Sequence, residues 1–192
     1  ATIDLTTITT NAFTSQLLIT TNDNDSPTDG TYAADVTIDG GTTNLIIGAS
    51  TIDGDLTLLS GGTITDTNSS TVTVKGALSA TTDAGSSAIT LNDLAVDGSF
   101  TLAPNSSGAV IIVNDAGLDL ALSTMGGTFS GTATTGNITQ SDTLTITGAA
   151  TFITGVDGSS ITLGDSANAF SAAVEMKADG GTENFGNITF VD

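Results

Sequence analysis

No cysteine, histidine, tryptophan or arginine occurs in this sequence, and tyrosine occurs once, at Tyr32. Without cysteine there is no disulfide framework. Without arginine, histidine or tryptophan, the chain lacks residues that polysaccharide lyases use as bases and that sugar sites use as stacking platforms. Two basic residues stand against 21 acidic ones, a formal net charge of −19. That balance excludes nucleic acid as a partner, because phosphate binding needs Lys and Arg. It also disfavours anionic membrane surfaces. Charged residues make up only 12% of the chain, so the acidity reflects missing bases rather than acidic runs. Proline is too rare, at two residues, for a disordered linker. Apolar runs such as Leu45-Ile46-Ile47 and Val110-Ile111-Ile112-Val113 are far too short to span a bilayer. The chain opens on Ala1 rather than Met, which fits a processed or excised product.

What is present is glycine (23 residues), a Ser and Thr content of roughly three residues in ten, and 38% hydrophobic residues with positive mean hydropathy. The 192 residues suffice for one domain with a sizeable core. Three windows organise them: 52–58, 74–80 and 96–102. A fourth, 118–124, follows at the same spacing of 22. Each window alternates apolar and polar residues, the pattern of a half-buried strand. A strand that returns at a fixed period of this order marks a solenoid or array.

Stacking the windows gives columns. The expected inward columns are Ile52/Val74/Val96/Leu118, Leu56/Leu78/Phe100/Leu122 and Leu58/Ala80/Leu102/Thr124. Gly54/Gly76/Gly98/Leu120 lies between them as a line of bends or close approaches. Outward, Thr57/Ser79/Thr101/Ser123 forms a hydroxyl ladder. Asp53/Lys75/Asp97/Asp119 forms a charge column in which Lys75 relieves part of the repulsion. Companion strands precede two windows, at Ile89-Thr90-Leu91 and Ile111-Ile112-Val113, again at a spacing of 22. Asn92 and Asn114 then fall in register as a corner amide ladder.

Residues 1–35 fit the repeat worst. They are expected to form an irregular N-terminal segment, an inter-subunit strand or a cap, with the solenoid proper spanning 36–192. Within the segment, Asn22, Asp23, Asn24, Asp25 and Asp29 form a turn rich in hard oxygen ligands. Asp23, Asp25 and Asp29 are the candidate calcium ligands. The alternative is a solvated acidic loop, and the spacing is not that of an EF-hand. No other cofactor is expected. After residue 124, Ile146 to Phe152 matches the window but begins at 146 rather than at 140, which reads as an insertion of six. Phe170, Ala172, Val174 and Met176 follow as the next inward positions. Ile138, Ile161 to Leu163 and Ile188 to Phe190 are their companion strands.

Coils of about 22 residues, each with two or three short strands, merge their inward columns only if coil hydrogen-bonds to coil through parallel ladders. The expected fold is therefore an all-β parallel β-helix, with about eight coils forming a rod near 40 Å long, roughly 4.8 Å per coil. An antiparallel sandwich accounts for the strands but not for the fixed spacing.

The stretch Gly136-Asn137-Ile138-Thr139-Gln140-Ser141-Asp142-Thr143-Leu144-Thr145-Ile146-Thr147-Gly148-Ala149-Ala150-Thr151-Phe152 resembles repeats of filamentous haemagglutinin-like exoproteins. Ser160 to Leu163 and Asn168 to Val174 continue the likeness. The resemblance implies a right-handed β-helix, export, and service as an adhesin shaft or surface fibre. The chain is expected to be an extracellular structural protein without enzymatic activity. Its partners are then copies of itself stacked head to tail, or neighbouring repeats of a larger adhesin. A carbohydrate-active enzyme or carbohydrate-binding adhesin is the alternative. Its best carboxylates are Asp53, Asp55, Asp97 and Asp119, which the alternation places at solvated outward positions.

Overall fold

The structure, a computed structural model, describes residues 2–6, 11–21, 34–67, 70–178 and 185–192. The apolar–polar alternation becomes a set of short strands, which along the rod bury every second side chain. No such strand can cover its own apolar face. Each lies beside the equivalent strand of the next coil, and every pairing is parallel. The result is an all-β parallel β-solenoid of about six turns, with coils about 22 residues apart.

Two nine-stranded sheets and one of three strands make up the coil walls. The first sheet runs from Ile3–Leu5 through Val36–Asp39, Leu56–Ser60, Leu78–Thr82, Ser99–Ala103 and Leu118–Leu120. It continues through Ile138–Gln140 and Ile161–Leu163 to Ile188–Phe190. The second stacks Leu45–Ile47, Ile64–Asp66, Ile89–Val96, Val110–Asn114, Phe129–Ala133, Ala150–Thr154 and Val174–Ala178. Ser50–Ile52 and Val72–Val74 branch from its long strand. The third joins Ser123–Met125, Leu144–Ile146 and Ala169–Phe170. Within residues 1–35, Ile3–Leu5 pairs in register with Val36 to Ile38. Leu17 and Thr20 bridge to Ile47 and Thr51. The six steps from Val36–Asp39 to Ile161–Leu163 are near-even, and a longer step at each end brings the first sheet to eight. Ile3 meets Val36, and Ile161 meets Ile188, each across a stretch well above the usual step.

The inward columns close into one continuous core. Leu56, Leu78 and Phe100 stack one even repeat apart as expected, and so do Ile52, Val74 and Val96. The fourth window departs. Leu120, not Leu122, lies opposite Phe100, so the step there is 20 rather than 22. Leu122 is 56% exposed and Thr124 faces solvent. Leu102 meets Ser123 instead, whose buried Oγ accepts the Leu102 N–H at 3.0 Å. Along the strand to Leu120 a shift of two residues preserves which side chains face inward, and the bend at Leu122 then resets the alternation, turning Ser123 inward and Leu122 and Thr124 outward. Ser123 thereby leaves the hydroxyl ladder, and Asp119 lies opposite Ser99 rather than above Asp97.

Three more expectations shift for related reasons. Ile89 pairs with Val110, a step of 21, so Ile112 is buried and Ile111 faces out. Ile146 belongs to the third sheet and pairs with Met125, while Phe152 belongs to the second and pairs with Gly131. The stretch needs no insertion of six, because Ile146 stacks on Met125 of the third sheet, 21 residues before it, and not on Leu118 of the first. The equal steps from Ile146 to Phe170 and from Ala150 to Val174 hold, yet Ala172 is exposed at the corner between them.

Glycine has a steric role at two places. Gly54, Gly76 and Gly98 stack at a corner, with the Gly76 and Gly98 amides donating to the glycine carbonyl of the coil before at 3.0 and 3.1 Å. A Cβ on Gly98 would fall 2.4 Å from the Gly76 carbonyl oxygen. Inside the core, Gly131 sits between Ile112 and Phe152. A Cβ there would lie 2.6 Å from the Phe129 ring and 2.9 Å from a Leu118 methyl. The missing side chain makes room for the tilted stack of Phe129 on Phe152, with ring centroids 5.1 Å apart. Overpacking this site is expected to destabilise: Gly131→Ala should cost about 1–3 kcal/mol. Phe152→Ala, which opens a cavity instead, should cost about 3–5 kcal/mol. Urea melts of the two variants check both values, and a neutral Gly131→Ala would refute the packing argument.

Candidate functional site

Of the carboxylates singled out as candidates for chemistry, Asp53, Asp55 and Asp97 lie at coil corners, and Asp119 stands on the outward side of the strand Leu118–Leu120. Asp35 Oδ1 accepts the amide of Asp55 at 2.9 Å, and Asp55 Oδ1 accepts the amide of Ala77 at 2.7 Å. Each side chain thus supplies an acceptor to the coil above, where the strand ladder has ended. Asn44 does the same for Thr63, Asn137 for Ser160, and Asp66 for Asp93. This satisfies corner amides that would otherwise lose a partner. Lys75 pairs with Asp97 at 2.9 Å, as the charge column implied. Both side chains are about half exposed, so the pair contributes about 0.2–1 kcal/mol.

A corner groove of about 370 Å³ brings Asp97 and Asp119 together with Asn137 and Thr139 over Gly98 and Gly117. Each polar group already has a bond there. Asp97 holds Lys75, Asp119 accepts the Thr139 hydroxyl at 3.0 Å, and Asn137 accepts the Ser160 amide at 2.8 Å. Asp53 and Asp55 are not among the lining residues. The arrangement therefore fastens one coil to the next. Asp23, Asp25 and Asp29, the candidate calcium ligands, lie outside the described residues. Among the described residues no group of three or more metal-ligating side chains occurs.

Two buried amide clusters escape a reading by equal spacing. Asn114, expected to stack on Asn92, instead points inward and is fully buried. Its Oδ1 accepts the Val96 amide at 2.8 Å. Its Nδ2 donates to the carbonyls of Val96 at 3.0 Å and Gly117 at 2.7 Å. The side chain thereby reproduces both backbone bonds of a missing strand neighbour. Asn92 is exposed. The displacement follows from the register that sets Val110 on Ile89 and from the irregularity between Ile112 and Asn114. Near the other end, Gln140 and Asn168 exchange amide bonds at 2.7 and 3.0 Å, and Asn168 Nδ2 also reaches the Val191 carbonyl at 3.1 Å. The available signal was an Asn or Gln at the end of a strand, as at Asn114 and Gln140, or just before one, as at Asn168, where the coil has to turn.

Among the described residues, Asp66 is the carboxylate with a raised pKa. Burial raises it above its ordinary value of 3.8, and the charge of Asp93 adds to the effect. Amide bonds from Asp93 and Asn92 oppose it. A raised folded-state pKa means the native state holds this proton more tightly than the unfolded chain. The resulting stabilisation is present at low pH and is lost as pH rises through the folded pKa.

Residues 33–105 and 107–177 match the model of a family described as repeats of unknown function (DUF5649). No curated protein and no solved structure matches the chain significantly.

Two measurements check the corner chemistry. Asn114→Ala removes the side-chain partner of the buried Val96 amide and carbonyl and of the part-buried Gly117 carbonyl, and should cost about 2–3 kcal/mol in urea melts. Asp66→Asn keeps an acceptor for the Asp93 amide and removes the charge. Its melting temperature should exceed the parent's at pH 7, and the difference should shrink toward pH 4. A constant difference across that range would remove the role assigned to Asp66.

Proposed function

The chain belongs to the family of DUF5649 repeats, and on that footing we propose that it is an extracellular structural protein. In this reading it is a β-solenoid building block of a cell-surface or secreted fibre or adhesin shaft, stacking end to end. The observation that carries the reading is the pair of open ends. Among the described residues, Ile3–Leu5 pairs on one side only, with Val36–Asp39, and Ile188–Phe190 pairs on one side only, with Ile161–Leu163. Leu5 and Leu18 are 40% and 64% exposed at the first end.

At the second end the core itself emerges. Phe129, Phe152, Phe170 and Phe190 form one aromatic stack along the axis, with successive centroids 5.1, 6.2 and 5.2 Å apart. Phe129 and Phe152 are buried, while Phe190 is 38% exposed beside exposed Ile188 and Val191. Natural proteins normally blunt or cover such edges. Another coil of the same design, offering parallel strand groups and an apolar interior, covers both sets of unmet groups. That coil belongs to a second copy stacked head to tail, or to neighbouring repeats of a larger adhesin. The likeness of residues 136–176 to haemagglutinin-like exoprotein repeats supports the shaft role and the location outside the cell. The work assigned to the chain is mechanical, since stacked ladders make a stiff rod whose acidic corners keep it soluble.

At high concentration the purified chain should form unbranched filaments one solenoid wide, visible in negative stain, with a fibre reflection at about 4.8 Å along the axis. Phe190→Lys with Ile188→Lys should shorten or abolish them without lowering the melting temperature appreciably. Uniform single particles at all concentrations would rule out self-stacking and leave the excised-shaft reading.

A further inference from the structure

Two edges of the first sheet, one near each end of the rod, complement each other column by column. At the second end the edge is Ile188–Phe190, set in register on Ile161, Thr162 and Leu163, with no strand beyond it among the described residues. At the first end the regular stack begins with Val36-Thr37-Ile38, in register with Leu56, Thr57 and Leu58. Laid side by side, Ile188 meets Val36, Thr189 meets Thr37 and Phe190 meets Ile38. The inward columns then run Ile161, Ile188, Val36, Leu56 and Leu163, Phe190, Ile38, Leu58, apolar throughout. The outward column runs Thr162, Thr189, Thr37, Thr57, Ser79 and Thr101, hydroxyls throughout. The backbone link is the same along the sheet. The Ile161 amide donates to the Asn187 carbonyl at 2.9 Å, and the Val36 amide to the Asp55 carbonyl at 2.8 Å.

Within one chain, Ile3–Leu5 holds that place beside Val36–Asp39, and the Ile3 amide donates to the Asp35 carbonyl at 2.9 Å. It breaks the pattern of the columns. Asp4 sets a carboxylate beside Thr37 in the hydroxyl column, and that carboxylate turns back to the Thr6 amide and hydroxyl at 2.9 and 2.6 Å. Leu5 stays 40% exposed although its ladder partner Ile38 is buried. One clasp holds the strand down: Asn11 Nδ2 donates to the carbonyls of Leu5 at 2.8 Å and Asp39 at 2.9 Å.

We infer that Ile3–Leu5 is a stand-in, and that in the stack Ile188–Phe190 of one copy displaces it and pairs directly with Val36–Asp39 of the next. The joint presupposes the end-to-end reading and specifies which strands meet in it. Exchanging one three-residue strand for another leaves the ladder on Val36–Asp39 intact, which makes strand exchange between identical chains a low-cost route to assembly. The exchange gives up the Asn11 clasp. What it gains is cover for Ile188, Phe190 and Val191, which are 49, 38 and 38% exposed in the single chain. Phe190, the last ring of the aromatic stack, then lies on Ile38 and joins the core of one copy to the core of the next. Until another copy arrives, the stand-in keeps the first edge paired.

The chain has no cysteine, so paired cysteines read the joint without background. Thr37 and Thr189 lie seven ladder steps apart in one chain, roughly 34 Å. Thr37→Cys with Thr189→Cys therefore forms no disulfide within a molecule. In the exchanged joint the two positions are ladder neighbours about 4.8 Å apart. Mild oxidation at high protein concentration should then give a ladder of covalent oligomers on a non-reducing gel. Stacking without exchange leaves Ile3–Leu5 in between and sets Asp4, not Thr37, beside Thr189. A ladder from Asp4→Cys with Thr189→Cys, and none from the first pair, would overturn the inference and keep the end-to-end reading. Asp4→Cys with Thr37→Cys supplies a lock, because these two are ladder neighbours within one chain. Oxidised before concentration, the locked chain should stay as single particles in negative stain, and reductant should restore filaments. Filaments from the locked chain would also overturn the exchange. Covalent ladders from the first pair without filaments would keep the joint and remove the extended fibre. Single particles with no ladder from either pair would remove both.

Discussion

Parallel hydrogen bonding between successive coils is the constraint on which the rest of this molecule depends. A single coil has too little interior to be stable alone. Its strands bury their inner side chains only when another coil supplies both the ladder partners and the next layer of core. Each inward column is therefore a requirement on every coil at once. Phe100 is buried because Leu78 and Leu120 flank it, and Phe152 because Phe129 and Phe170 lie on either side. The small Gly131 and the bulky Phe129 are one feature, since the absent side chain of the first admits the ring of the second.

Corners pose the opposite problem, because there the ladder stops and backbone groups lose their partners. The chain meets it with oxygen acceptors from short side chains. Asp35, Asp55, Asn44 and Asn137 each reach one coil onward, and Asn114 goes further by replacing a strand neighbour inside the core. This gives the acidic composition a structural role. Of the carboxylates that resemble a catalytic set in the bare sequence, Asp55 is an acceptor at a turn, Asp119 accepts a threonine hydroxyl, and Asp97 is bound to Lys75.

The fold was legible to a considerable degree. Recurring windows with alternating residues identify a parallel solenoid, its repeat length, and the inward columns through Phe100. The glycine corner and the Lys75–Asp97 pair are also readable, because they follow from stacking equal windows. Legibility ends where coil length changes. Equal spacing puts Leu122 and Thr124 inside, and both are outside. It exchanges Ile111 with Ile112 and gives Asn114 the wrong partner. The groove at Asp97 and Asp119 depends on the shorter coil that brings Ser99 beside Asp119, so its composition is not readable from equal spacing.

From the sequence alone came the periodicities: period two within a strand, and a period near 22 between strands. The first states which side chains face inward, and the second that coils stack in parallel. Neither states the register, since a slip of two residues leaves side chains on their faces along a strand, and neither states where a bend such as that at Leu122 resets them. Tertiary structure made that choice. In the coil after Phe100 it chose a step of 20 over 22, setting Leu120 against Phe100 in the core and Ser123 under the Leu102 amide at the corner. It also decided that the aromatic stack surfaces at one end. These are properties of coils meeting one another, and no single window contains them.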